Sequence, residues 1–291
     1  MNTTTSTPPL PAAPSPRGAL TAIATFGRMI KFSHTIFAMP FALAAAALAA
    51  RGHGITVGRV LGIVLAMVGA RTAAMGFNRI VDRSIDAKNP RTARREIPSG
   101  QIRLPVAVAL TVGATALFVG AAAYLGPLCL ALSPVALIFL FGYSFTKRFT
   151  WLCHLVLGFA IAGGPAGAWI AVTGGFAAPA AWLMLAVTTW IGGFDILYAL
   201  ADMAFDRKSQ LNSIPARFGI GRSLVISALL HVVTVVALAG VGLSAGLGIV
   251  YFVGLAAITG MLVWEHAIVR PTDLSRLDVA FFTLNGWVSM A

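Results

Sequence analysis

Acidic residues are scarce in this chain: nine Asp and Glu among 291 residues, against 21 Lys and Arg. All charged residues together make up 10% of it, whereas soluble domains carry about a quarter. So little charge excludes an ordinary water-soluble domain. Cysteine is rarer still. Cys129 and Cys153 are the only two, too few for a disulfide framework, and both fall in apolar stretches where small packing residues are expected. The N-terminus has no basic segment leading into a short apolar run, so no cleaved signal peptide is expected and the first membrane helix is the insertion signal.

What the chain has instead is apolar length. Hydrophobic residues make up 58% of it, and its mean hydropathy is +0.87. A hydrocarbon core takes about 20 apolar residues per helical crossing. Runs of that length recur at Ile30–Ala50, Val57–Phe77, Val106–Leu125, Pro127–Phe145, Leu152–Val172, Ala181–Ala204, Leu224–Leu243 and Gly246–Ile268. A ninth begins at Val279 and reaches Ala291, too short to cross, so the sequence is truncated there or its last helix is partial. The fold expected is all-α, a polytopic membrane bundle of about nine transmembrane helices over residues 19–291, with no separate soluble domain. Residues 1–18, rich in Thr, Pro, Ala and Ser, form a disordered tail.

A net charge of +12 suggests nucleic acid only until the charges are located. With the N-terminus cytoplasmic and the helices alternating, 18 of the 21 basic residues fall on the cytoplasmic side. Arg51 and Arg59 fall outside, and Arg71 lies within the second helix. This is an insertion signal, and no nucleic-acid partner is expected. The chain reads as a protein of the bacterial cytoplasmic membrane, held by lipid, with no obligate protein partner evident.

Five of the nine acids lie in two stretches, each at the cytoplasmic end of an apolar run. The first carries Asn78, Asp82 and Asp86, four residues apart and so on one helical stripe. The second carries Asp195, Tyr198, Asp202 and Asp206, again on one face. Asp82 to Asp202 and Asp86 to Asp206 are both 120 residues apart, which points to a duplicated bundle with two sites opposed across one cavity. Carboxylates at membrane depth are costly and should face inward. Opposed ladders of them repel unless cations lie between, and an all-oxygen set without His or Cys suits Mg²⁺ rather than zinc. The bland reading, helix-end aspartates paired with Arg83, Arg207 and Lys208, serves one stripe better than two matched ones.

Beside each stripe runs a basic, proline-bearing connection: Lys88 to Gly100 after the first, Arg207 to Gly219 after the second. Metal bridges with Lys and Arg clamps are how a diphosphate is held and its departure stabilised. Lys147 and Arg148, after Tyr143, form a third basic cluster placed to reach the same cavity.

The N-x-x-x-D-x-x-x-D stretch, the N-P-R-T loop at Asn89–Thr92 and the D-x-x-Y-x-x-x-D-x-x-x-D stretch together resemble the UbiA family of intramembrane aromatic prenyltransferases. The likeness runs from Arg28 to the ninth helix. It is closest to the hydroxybenzoate polyprenyltransferase branch and its menaquinone-pathway relatives, which share the Lys31-Phe-Ser-His-Thr35 start. The resemblance implies a nine-helix fold around a lipid-open cavity and Mg²⁺-dependent transfer of a polyprenyl group from prenyl diphosphate to a small aromatic acceptor in quinone biosynthesis. The acceptor it implies is 4-hydroxybenzoate or a dihydroxynaphthoate. Asn78, Asp82, Asp86, Asp202 and Asp206 would hold the metal, and Arg83, Arg94, Arg95, Lys147 and Arg148 the diphosphate. Asp195 would be the base, with Tyr198 beside it as a second catalytic group. Arg28, His34 and Tyr143 would meet the acceptor, Arg28 or Arg148 by pairing with a carboxylate. Ala201 and Ala204 depart from the more polar residues often found between the second-motif acids.

The competing class is a divalent-cation transporter, since intramembrane carboxylates often mark ion paths. Its sites usually lie near the midplane, whereas these acids gather at one interface under arginine-rich loops that repel an arriving cation. A phospholipid headgroup transferase would also use paired Asp and Mg²⁺, but its D-G-x-x-A-R pattern is absent.

Overall fold

A computed structural model describes residues 18–30, 39–274, 277 and 284–290. The tail at 1–17, His34 and the start of the ninth apolar run lie outside the described residues. The elements are α1 (Ala19–Met29), α2 (Met39–His53), α3 (Val57–Lys88), α4 (Leu104–Leu125), α5 (Pro127–Thr146), α6 (Cys153–Thr173), α7 (Ala178–Ala199), α8 (Met203–Lys208), α9 (Ile214–Ser244), α10 (Ile249–Ile268) and α11 (Asn285–Met290). Among the described residues there is no named strand. In lipid every backbone amide must be satisfied within the segment, and helices do this.

Seven of these helices are long and apolar enough to cross a membrane: α3, α4, α5, α6, α7 taken through α8, α9 and α10. The chain is thus a polytopic helical membrane bundle, with seven of the expected crossings among the described residues. Of the first expected run, Ile30–Ala50, the described helix is α2, from Met39, and α1 precedes the run.

Helix starts follow local chemistry. Thr56 caps α3 and Ser213 caps α9 by accepting backbone N–H groups three residues on. Pro105, Pro127, Pro179 and Pro215 open α4, α5, α7 and α9, where their missing N–H costs nothing. The α7 rod does not run unbroken through its acids. Leu200–Asp202 tightens into a 3-10 turn before α8 resumes, and Asp202 sits at the junction.

The expected duplication is visible in the architecture. A long helix carrying the first acids (α3) leads through a polar loop into α4, and α7 with α8 leads the same way into α9. Each following helix packs most closely on the one before it, and each opens on a proline. Between these pairs, α6 lies against α7 and α2. Deep in the bundle Trp190 donates to Asn285 (2.8 Å), which donates to the buried Glu265 (2.9 Å), tying α11 to α7 and α10.

The α6–α7 contact sets the site, and a glycine allows it. A Cβ at Gly158 would collide with the carbonyl oxygen of Thr188 on α7. Gly158→Ala therefore forces the helices apart and should destabilise the protein by about 1–3 kcal/mol, read as a lower unfolding temperature in detergent. Gly113→Ala on α4, where the added methyl meets open space, should be neutral or stabilising by about 0.5–1 kcal/mol.

Candidate functional site

The two acid-bearing helix ends converge, and the loop after the first ladder makes the join. Asn89, the C-cap of α3, donates its side-chain amide to Asp202 at 3.2 Å. Two residues on, Arg91 grips both Asp202 oxygens, Nε at 2.8 Å and Nη2 more closely still, while its Nη1 reaches the Tyr198 hydroxyl at 2.7 Å. Burial works against the Arg91 charge, but the hydrogen bond and the charge of Asp202 outweigh it and hold the guanidinium above its ordinary range. Neither Asn89 nor Arg91 belongs to the clamp set expected from sequence. Both sit past the end of a helix, where no periodicity points to a partner.

On α3, Asp82 is buried and takes Lys147 Nζ at 2.6 Å, Arg148 Nη2 at 3.2 Å and the Asn78 amide at 3.1 Å. Asp86 is buried as well. Its Oδ1 accepts from Arg95 at 2.7 Å, while its Oδ2 has no hydrogen bond and stands 4.0 Å from Arg79, whose Nε donates to the Met29 carbonyl at the end of α1. Asp206, in the first turn of α8, is held by the next helix. Its Oδ2 accepts from Ser213, the cap of α9, at 2.9 Å. The loops close on one another too, as Asn212 N–H donates to the Lys147 carbonyl at 2.6 Å.

Three ion-paired acids, Asp82 with Lys147 and Arg148, Asp86 with Arg95 and Asp202 with Arg91, thus gather at the two helix ends, with Asn78 and Asn89 bonded to Asp82 and Asp202. Two expected clamps stand apart. Arg83 is exposed and donates to the Ile80 carbonyl on its own helix at 2.8 Å. One residue from Asp82 is about 100° around the helix, so neighbours in sequence face different ways. Arg94 is exposed and makes no ion pair among the described residues. Arg28, expected at the acceptor, bonds Thr25 on its own helix at 3.0 Å.

Below the cluster, among α3, α4, α5 and α6, lies an apolar cavity of about 500 Å³. Met67, Phe118, Leu132 and Phe159 are typical of its wall, and Arg71, Ser133 and Tyr143 are polar exceptions. Arg71 Nε is buried without a hydrogen-bond partner. Seven residues before Asn78, it sits roughly 10 Å deeper along the same helix. Across the bundle, Asp195 Oδ2 is bonded to His154 Nδ1 at 2.7 Å. His154 is buried.

Among the described residues no three His, Cys, Asp or Glu groups are gathered to hold a metal ion. Each of Asp82, Asp86 and Asp202 is turned toward a cation instead. The donor set still fits a hard cation such as Mg²⁺: it is all oxygen, and Asp86 keeps one buried carboxylate oxygen without a hydrogen bond.

The UbiA prenyltransferase family model matches residues 38–287. The 4-hydroxybenzoate octaprenyltransferase of Nitrosospira multiformis is 31% identical, covering 79% of this chain and 77% of its own length. The enzyme of the same name from an Azoarcus species is 33% identical, over 76% of each chain. A UbiA homologue from Aeropyrum pernix, solved in its apo form, superposes with a TM-score of 0.81 at 32% identity, over 89% of this chain and 94% of that one. A UbiA homologue from Archaeoglobus fulgidus, solved with GPP and Mg²⁺, shares the fold at a TM-score of 0.66 and 19% identity, over 91% and 99% of the two chains.

The Arg91 strap has a measurable consequence. Charge-assisted bonds on a half-exposed arginine are worth about 1 kcal/mol after solvent screening. In Arg91→Gln, hydrogen exchange across residues 91–100 should therefore accelerate about fivefold, while α4 and α7 keep their protection.

Proposed function

Because the chain belongs to the UbiA prenyltransferase family, we propose that it transfers a polyprenyl group from prenyl diphosphate to a ring carbon of a hydroxylated aromatic acid, 4-hydroxybenzoate in the first instance, as a step of quinone biosynthesis. The observation that carries this reading is the meeting of the two acid ladders under four cations, directly above an apolar cavity. Such a site suits a ligand with a highly charged head and a hydrocarbon tail.

Lys147, Arg148, Arg95 and Arg91 would take the diphosphate oxygens, exchanging bonds to Asp for bonds to substrate. Asp82, Asp86 and Asp202 would hold Mg²⁺, with Asn78 and Asp206 as further oxygen donors. The metal, when bound, neutralises the facing carboxylates and the charge that grows on the departing diphosphate. The C1–O bond breaks with its electron pair leaving on diphosphate. The allylic cation is then shielded from water by the apolar wall of the cavity. A ring carbon ortho to the acceptor hydroxyl bonds C1 while Asp195 Oδ1 accepts the hydroxyl proton. Loss of the ring proton and return of a proton to oxygen restore the phenol.

For the acceptor carboxylate, Arg71 is better placed than Arg28 or Arg148. Its Nε is buried on the cavity wall without a hydrogen-bond partner, and an arginine in lipid needs an anion. The inward bias of the basic residues supports a cytoplasmic position for the acid-bearing end, in a bacterial cytoplasmic membrane.

Purified protein in detergent with geranyl diphosphate, 4-hydroxybenzoate and Mg²⁺ should form a prenylated acid, and chelation should abolish it. Asp82→Asn or Asp202→Asn should cut the rate by about a hundredfold or more, by analogy with the loss of electrostatic groups in other enzymes. Arg71→Met should mainly raise KM for 4-hydroxybenzoate, about tenfold or more, as one charge-assisted pair is lost. Product from a dihydroxynaphthoate alone would move the acceptor, whereas Mg²⁺ flux in proteoliposomes without any product would replace the reading by the transporter.

A further inference from the structure

We propose that His154 is a positioning residue for Asp195: locked by the backbone of α9, it occupies one carboxylate oxygen and presents the other to the acceptor. This rests on the prenyl-transfer reading above.

The argument starts from a donor that cannot be turned around. The backbone N–H of Ile214 points at His154 Nε2 at 3.3 Å, and an amide can only donate. Nε2 must therefore be the unprotonated nitrogen, and the proton of the neutral ring must lie on Nδ1. Nδ1 is the atom 2.7 Å from Asp195 Oδ2, so His154 donates to the carboxylate. Both ring nitrogens are used, and the side chain is almost fully buried, at 4% exposure. The ring cannot flip without losing both bonds.

Asp195 is different. Its side chain is 25% exposed, although it lies one turn inside the end of α7. Its Oδ1 has no partner among the described residues, nor is it a buried orphan. One oxygen is spoken for and the other opens on free space. On the same face, three residues on, Tyr198 is engaged by Arg91 together with Asp202, so Asp195 lies on the stripe of α7 that meets Arg91.

Three elements fix this arrangement. α6 supplies His154 from its first turn, α7 supplies Asp195 at the matching level, and Gly158, one turn from His154, lets the two helices touch. The third element is α9, whose N-terminus carries both Ile214 and the Ser213 that holds Asp206. Closing the α8–α9 connection therefore sets the base and an acid of the metal-side ladder together. Because Nε2 is taken by an amide, His154 does not relay the proton onward. It limits Asp195 to a single accepting oxygen.

The test compares His154→Gln, whose side-chain amide can still donate, with His154→Leu, which cannot. The Leu variant should lose kcat by about 30-fold or more, within the range general bases contribute, while KM for geranyl diphosphate stays within about twofold. The Gln variant should stay within about threefold of the wild type. In an Asp195→Asn background, His154→Leu should cost nothing further. Full kcat in the Leu variant, equal losses in both variants, or a loss confined to the diphosphate KM would each overturn the proposal. A readout independent of turnover is the ¹⁵N spectrum of imidazole-labelled wild-type protein, with His154→Gln for assignment. A neutral ring protonated on Nδ1 is expected, and an Nε2-protonated ring sinks the idea even if prenyl transfer is fully active. If no acceptor is prenylated at all, the functional reading falls, and this spectrum still decides the hydrogen bond.

Discussion

Carboxylates buried at the end of a membrane helix must be neutralised, and that constraint organises this protein. Three of its nine acids, Asp82, Asp86 and Asp202, come from two helices far apart in sequence. Each is compensated by a cation from a loop beyond its own helix: Lys147 and Arg148 for Asp82, Arg95 for Asp86 and Arg91 for Asp202. Removing the cations from the buried Asp82 or Asp86 leaves an uncompensated buried charge, which holds these loops over the bundle. The same electrostatics makes the site useful. Groups that satisfy one another in the free protein are those a metal-bridged diphosphate needs, acids for the cation and bases for the anion, so substrate binding becomes an exchange of partners in place.

Around that cluster the structure grades from polar to apolar along the membrane normal. Charged loops lie at the end, then the half-open Asp195 and the buried His154, then the cavity with Arg71 on its wall. An amphiphilic substrate has the same gradient. The break at Leu200–Asp202 lies where the polar contacts concentrate: Asp202 takes Arg91 and Asn89, and Asp206 takes Ser213.

The helices and the position of the site were legible because their signals are periodic. Apolar runs of crossing length gave α4 to α7 and α10 within a few residues, whereas α3 continues well past Phe77 to Lys88 and α9 begins well before Leu224, in the proline-opened turn at Ile214. Acids at four-residue steps gave the two ladders. What escaped lacks a period. No glycine or proline marks the 3-10 turn at Leu200–Asp202. Asn89 and Arg91 act across the bundle from a loop, and adjacency misplaced Arg83. His154 was within reach of a topological argument, since α6 and α7 are antiparallel and both His154 and Asp195 lie about five turns from their shared outer connection.

The central claim is that the two ladders form one binding site rather than two. The direct measurement is the affinity of the protein for a prenyl diphosphate with Mg²⁺, by titration calorimetry, in a double-mutant cycle of Asp86→Asn and Asp202→Asn. If the ladders clasp the same diphosphate, either substitution should weaken binding nearly as much as both together, with a coupling of about 1 kcal/mol or more. Independent, additive losses would mean that the two helix ends do not share a ligand, and the account built on their convergence would be wrong.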